Sequence, residues 1–168
     1  VIPSTYTGAK VSTIASKCFK DCTKILNVEI PVGITTLDTY AFYNCTALES
    51  INFLSNDKGE SCTVIREFAF SKASNLTNIN LENILMIGNN AFEDCTKLNN
   101  VDLSNAYAIG RRAFANCTAL EYVDITALRN AGVETFMNCT NLKTIENGRY
   151  TNFSDHMFRN SGLTTLTY

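Results

Sequence analysis

The chain contains one histidine, His156, and this scarcity removes most hydrolytic chemistry at the outset. Serine–histidine–aspartate and cysteine–histidine sites both need an imidazole held beside a nucleophile, and His156 reads as an exposed polar residue instead. Excess charge of either sign is also missing. Fourteen Lys and Arg against sixteen Asp and Glu leave a net charge of −2, which gives no field for nucleic acid or an acidic membrane surface. Arg111-Arg112 is a lone basic pair, far short of a nucleic-acid footprint. No apolar run approaches the roughly 20 residues a membrane-crossing helix needs, and no signal-peptide pattern opens the chain. Phosphate-cradling and dinucleotide glycine motifs are absent. The expectation is a protein without catalytic chemistry, nucleic-acid partner, cofactor or membrane insertion.

What the chain does have is a period. Ile109-Gly110, Ala113-Phe114, Asn116-Cys117-Thr118, Leu120 and Val123-Asp124-Ile125 repeat Ile87-Gly88, Ala91-Phe92, Asp94-Cys95-Thr96, Leu98 and Val101-Asp102-Leu103 at a distance of 22 residues. A period of this size marks one supersecondary unit stacked on copies of itself. The anchor is phenylalanine, at Phe19, Phe42, Phe70, Phe92, Phe114, Phe136 and Phe158, with gaps of 23, 28, 22, 22, 22 and 22 residues. The apolar residues five before it (Ile87, Ile109), six after it (Leu98, Leu120) and nine after it (Val101, Val123) form columns. Each coil can therefore bury a strip of core against its two neighbours.

Leu120-x-x-Val123-x-Ile125 alternates with period two and reads as a short strand. Stacked copies would pair in parallel at about 4.8 Å per coil. From Gly110 to Cys117 the apolar positions Ala113, Phe114 and Cys117 have the spacing of one helical turn. Gly88, Gly110 and Gly132 recur four before the anchor, where a tight turn or positive φ would favour glycine. Small residues (Ala41, Ala69, Ala91, Ala113) precede it, as close approach of neighbouring turns requires. The long gap before Phe70 carries a polar insertion, Ser55 to Ser61, read as a surface loop or short hairpin at Lys58-Gly59.

Seven cysteines invite a disulfide or metal reading, and their columns argue against it. Cys22, Cys45, Cys95, Cys117 and Cys139 stand three after the anchor, where other copies use Ala73 and Ser161; Cys18 and Cys62 fill alanine and valine/isoleucine columns. All are core slots for a small hydrophobe. Equivalent Cβ atoms one coil apart lie beyond the roughly 3.5–4.5 Å that a disulfide prefers. Free, buried thiols are expected. The Thr or Ser after each cysteine, with Asn44, Asn116 and Asn138, reads as turn hydrogen bonding to backbone. The sequons at Asn44, Asn75, Asn116, Asn138 and Asn152 are glycosylation acceptors only in a eukaryotic secreted product.

These columns resemble the BspA-like leucine-rich repeats of bacterial and protozoan surface proteins: Ile30-Pro31, Leu37, Ala41-Phe42 and Asn44-Cys45-Thr46-Ala47-Leu48 follow that unit in order. The resemblance covers essentially the whole chain. Departures lie at Ala73, at Ala131, Thr135 and Asn147, and at Met157 and Ser161. It implies an α/β leucine-rich-repeat solenoid over residues 1–168, of about seven coils, with short parallel strands and one short helical turn per coil. It further implies a cell-surface or secreted protein acting in adhesion to a host, matrix or microbial surface protein or glycan. Ile2-Pro3 and Leu166-Thr167-Tyr168 match the interior of a repeat, so the chain is expected to be a segment of a longer array, with end-to-end self-association when isolated.

The strand residues pointing outward are the candidate binding face: Asn78, Asn80, Asn100, Asp102, Tyr122, Asp124, Thr144 and Glu146. Tyr122 is its aromatic anchor, and a basic or polar protein surface its complement. A solvated face without a ligand, on a spacer that holds other domains apart, is the competing reading. Asp102 and Asp124 as a weak calcium site lack the turn oxygens to complete six or more ligands, so no metal is expected. Leu85, Tyr107 and Arg129 form a second exposed stripe.

Overall fold

In a computed structural model of the chain, residues 2, 5–6, 8–56, 61–150 and 152–167 are described. The polar insertion therefore lies in part, with its Lys58-Gly59 turn, outside the described residues. An antiparallel pair, Thr5–Tyr6 with Ala9–Lys10, precedes the first coil. Every later pairing is parallel and joins equivalent positions of consecutive coils.

Two strand ladders run along the stack. The first pairs Thr13–Ile14, Thr36–Leu37, Val64–Ile65, Met86–Ile87, Ala108–Ile109 and Asn130–Ala131 in one six-stranded sheet. The second is divided. Asn27–Ile30, Ser50–Phe53 and Asn78–Ile79 make a three-stranded sheet, and Asn100–Asp102, Tyr122–Asp124, Thr144–Glu146 and Thr165–Thr167 a four-stranded one. Alternation fixes which side chains turn inward: Val123 is buried between exposed Tyr122 and half-buried Asp124.

The anchor phenylalanines form one column. Successive rings from Phe19 to Phe158 stack with centroids 5.0 to 5.7 Å apart and planes within 13° of parallel. The five central rings are fully buried, and the inward columns join them in one continuous core. Such near-parallel stacks are offset contacts worth about 0.5–1.5 kcal/mol each beyond their burial.

The helical turn expected around each phenylalanine does not form: the described residues contain strands and turns and no helix. Its place is taken by a third ladder. The residues two before and two after every anchor have left-handed backbones, fourteen in all, with φ between 55° and 66°. Each such residue reverses the peptide direction, so N–H groups point alternately along and across the stack. Around Phe92, the Asn90, Phe92 and Asp94 amides donate to the Arg111, Ala113 and Ala115 carbonyls of the next coil. The intervening Ala91, Glu93 and Cys95 amides bond three residues back. A helix would need consecutive right-handed residues and i→i−4 bonds; stacking offers every second amide a carbonyl in the next coil. The spacing of Ala113, Phe114 and Cys117 suits either geometry.

The repeating glycines also have a different cause. None of Gly88, Gly110 and Gly132 has positive φ. A Cβ on Gly88 would lie 2.6 Å from the Glu67 amide nitrogen, and one on Gly110 2.5 Å from that of Asn89. Backbone-to-backbone approach between coils excludes a side chain there.

All seven cysteines are free, and the five from Cys45 to Cys139 are buried. Two depart from expectation: Cys22 is half-buried and Cys18 exposed. The matching alanines of later coils are buried between neighbouring coils, whereas Cys18 lines a hollow beside the first coil. In the irregular coils, Thr135 is buried with its hydroxyl donating to the Gly132 carbonyl at 2.7 Å. The Asn147 side chain, also buried, donates to the Tyr150 carbonyl at 2.9 Å.

Candidate functional site

The strand that positions Tyr122 does so through its neighbours. Leu120, Val123 and Ile125 are fully buried, which turns the intervening residue outward. Tyr122 keeps 38% of its surface exposed. Parallel pairing in register sets Asn100, Tyr122 and Thr144 side by side, and Asp102, Asp124 and Glu146 likewise. Asn100, Val101, Asp102, Tyr122 and Asp124 line a shallow hollow of about 380 Å³. Four of the residues proposed for binding are thus brought together on one face.

The Tyr122 hydroxyl donates to Glu146 Oε2 at 2.6 Å. That bond, with partial burial and the charges of Glu146, Asp124 and Asp102, pushes the phenol up to about 12. The hydroxyl keeps its proton well into the alkaline range, and its bond to Glu146 holds the ring toward that carboxylate. A tethered aromatic ring loses less freedom on docking than a mobile one.

Asn78 and Asn80 are placed differently. Asn78 lies in the three-stranded sheet and Asn80 just past the end of its strand; that sheet is not hydrogen-bonded to the strand Asn100–Asp102, so the face is interrupted between them and the hollow. The outward oxygens also have work within the chain. Asn80 Oδ1 accepts from the Glu82 amide, Asp102 Oδ1 from Ser104 and Asp124 Oδ1 from Thr126, at 2.8 to 2.9 Å. These are Asx turns that end each strand. One carboxylate oxygen of each aspartate is thereby committed to backbone. Among the described residues no cluster of three or more His, Cys, Asp or Glu could hold a metal. His156 is exposed, in one of the left-handed positions.

Two further ladders escaped sequence reasoning. The thiols donate along the stack, from Cys95 Sγ to the Phe70 carbonyl at 3.2 Å, from Cys117 to Phe92 at 3.2 Å and from Cys139 to Phe114 at 3.1 Å. A cysteine thus differs from alanine here by a weak S–H donor. Desolvation dominates their acidity: the Cys62 and Cys139 thiols are pushed up to about 12 and that of Cys117 well above the ordinary value. The asparagines, expected to bond backbone, bond each other. Asn116 Nδ2 donates to Asp94, Asn138 to Asn116 and Asn160 to Asn138, at 2.7 to 3.0 Å. The threonine hydroxyls do reach backbone, from Thr118 to the Thr96 carbonyl at 3.3 Å. The signal was the near-constant Asn or Asp two after each phenylalanine, residue types that tolerate left-handed backbone.

Parallel strands in register, an aliphatic and aromatic core and about seven coils define a leucine-rich-repeat solenoid. The family model described as a BspA type leucine-rich repeat region, in six copies, matches residues 2–85 and 63–168. The chain belongs to that family. It is similar in fold to a leucine-rich repeat protein of T. pallidum, with 22% identity, TM-score 0.66, and 99% of this chain covering 67% of that one. A leucine-rich cell surface protein of Faecalibacterium prausnitzii is similar over 87% of this chain and 46% of its own, with 24% identity and TM-score 0.60. No curated protein matches the chain.

Proposed function

We propose that the chain is a non-enzymatic binding module of a cell-surface protein. It engages another protein or glycan through the face that carries Asn100, Asp102, Tyr122, Asp124, Thr144 and Glu146. The observation that carries this reading is the hollow in the four-stranded sheet, where a tethered tyrosine stands among carboxylates. Aromatic anchors in a polar surround are the usual centre of a binding patch, and the acidic register favours a basic or polar surface. Surface placement is supported by family membership and by the F. prausnitzii neighbour, which is named a cell surface protein.

The structure dictates how to test it. Asp102 and Asp124 cap turns, so truncating them would disturb the fold along with the face. Asn80 caps the equivalent turn with an amide oxygen, which makes Asp→Asn the substitution of choice. The variant Asn100→Ser/Asp102→Asn/Tyr122→Ser/Asp124→Asn should keep its melting temperature and lose partners captured by the intact parent protein. Unchanged capture with an intact fold would remove this face and leave the spacer reading. A spacer would also tolerate replacement by an unrelated solenoid of equal length.

A further inference from the structure

A hollow of about 800 Å³ lies away from the proposed face and shares no residue with it. It sits at the corner where the second strand ladder turns toward the first, across three consecutive coils: Tyr107 from one, Thr126 to Arg129 from the next, and Gly148, Arg149, Tyr150 and Asn152 from the third. Tyr107, Arg129, Arg149 and Asn152 are exposed. Gly148 lets the coils close up here: its backbone lies against the Thr126 carbonyl, where a Cβ would not fit.

The charge of this hollow runs against that of the chain. It is lined by two arginines and no carboxylate. The ion pairs among the described residues are Lys20–Asp21, Arg66–Asp38, Arg111–Glu134, Arg112–Glu93 and Arg112–Glu134. Arg129 and Arg149 belong to none of them. Two unpaired guanidinium groups at one concavity form a site for planar anionic oxygens. Around them stand a tyrosine ring, the Thr126 hydroxyl and the Asn152 amide, groups that suit hydroxyl-bearing ligands. An extended peptide would be held by pairing with a strand edge, and that route is closed. On the edge strand Asn130–Ala131 the Ala131 amide is already taken by the Tyr150 hydroxyl, at 3.2 Å.

We propose that this corner binds an acidic saccharide, with Arg129 and Arg149 on its carboxylate or sulfate and Tyr107 against the sugar ring. The test is amide-resolved NMR titration of the 168-residue chain with a uronate oligosaccharide, a sulfated one, their neutral counterpart and a poly-glutamate peptide. A uronate or sulfated ligand should shift the amides of Tyr107, Thr126, Gly148 and Asn152, and the neutral sugar should not. Since hydrogen bonds to charged groups carry most of such affinity, Arg129→Gln/Arg149→Gln should weaken it about tenfold or more. Both arginines are exposed, so the fold should survive; should the double variant unfold, Arg149→Gln alone serves as the comparison. The proposal is overturned if neither acidic sugar shifts those amides, if the variant binds as wild type, or if poly-glutamate binds as well as the sugars.

Discussion

A buried thiol in this stack is a hydrophobe with a directed proton. Cys117 Sγ rests on the Phe92 carbonyl, and Ala73 shows that a methyl group can fill the same column, fully buried. Cys117→Ala should therefore cost about 1–2 kcal/mol, a small cavity plus one weak hydrogen bond, read from urea midpoints. The thiols also set a pH dependence. Their folded values lie above the ordinary 9.0, Cys45 at about 11 and Cys62 and Cys139 at about 12. Below pH 9 folded and unfolded thiols are both protonated and the stability is complete. Above it the unfolded chain releases protons that the folded chain keeps, so stability falls by about 1.4 kcal/mol per thiol per pH unit. The urea midpoint should drop steeply from pH 9 to 11, and less steeply in Cys95→Ala/Cys117→Ala/Cys139→Ala; identical slopes would show that the thiols are not buried. Iodoacetamide at pH 8 should label Cys18 and Cys22 in the folded chain and all the cysteines only after unfolding.

At the scale of the element, the distinctive unit is the left-handed turn ladder. Asn116, with φ 63°, holds its backbone in that region and bonds Asp94 and Asn138 through its side chain. Asn116→Ala loses both the tolerance and the bonds, about 2 kcal/mol together. Asn116→Gly keeps the backbone freedom and should cost less; equal losses would deny the left-handed turn. Gly110→Ala should destabilise by several kcal/mol because its Cβ would meet backbone that cannot yield. These elements explain what could be read in advance. The phenylalanine column, the inward aliphatic columns and the unpaired thiols were legible, since one-dimensional stacking forces equivalent residues into equivalent surroundings. The turn was misread as helical because apolar spacing records which residues face inward and not where the amides point. Asn and Asp marked the left-handed site two after the anchor. The site two before it holds Lys17, Tyr40, Phe68, Asn90, Arg112, Glu134 and His156, and that mixture carries no signal. The outward residues of the proposed face were legible as a column, but the Asx turns that hold Asp102 and Asp124 depend on backbone placement.

At the scale of the whole molecule, the first coil keeps part of its apolar column exposed among the described residues. Ile2, Val11, Ile14, Phe19, Ile25 and Val28 line an apolar hollow of about 530 Å³ at that end. The isolated chain should accordingly self-associate end to end, seen in sedimentation as a weight-average mass rising with concentration; Phe19→Lys should suppress it. A monodisperse monomer at high concentration would contradict this. The account as a whole stands on continuity of the third ladder from coil to coil, and residue-resolved amide exchange measures that directly. The amides of Phe70, Phe92, Phe114 and Phe136, each donating to the next coil, should exchange as slowly as those of Val101 and Val123 in the sheet, through opening of the stack as a unit. Exchange at those phenylalanines orders of magnitude faster than in the strands would mean that the turns are not joined, and the stacked architecture would fail with them.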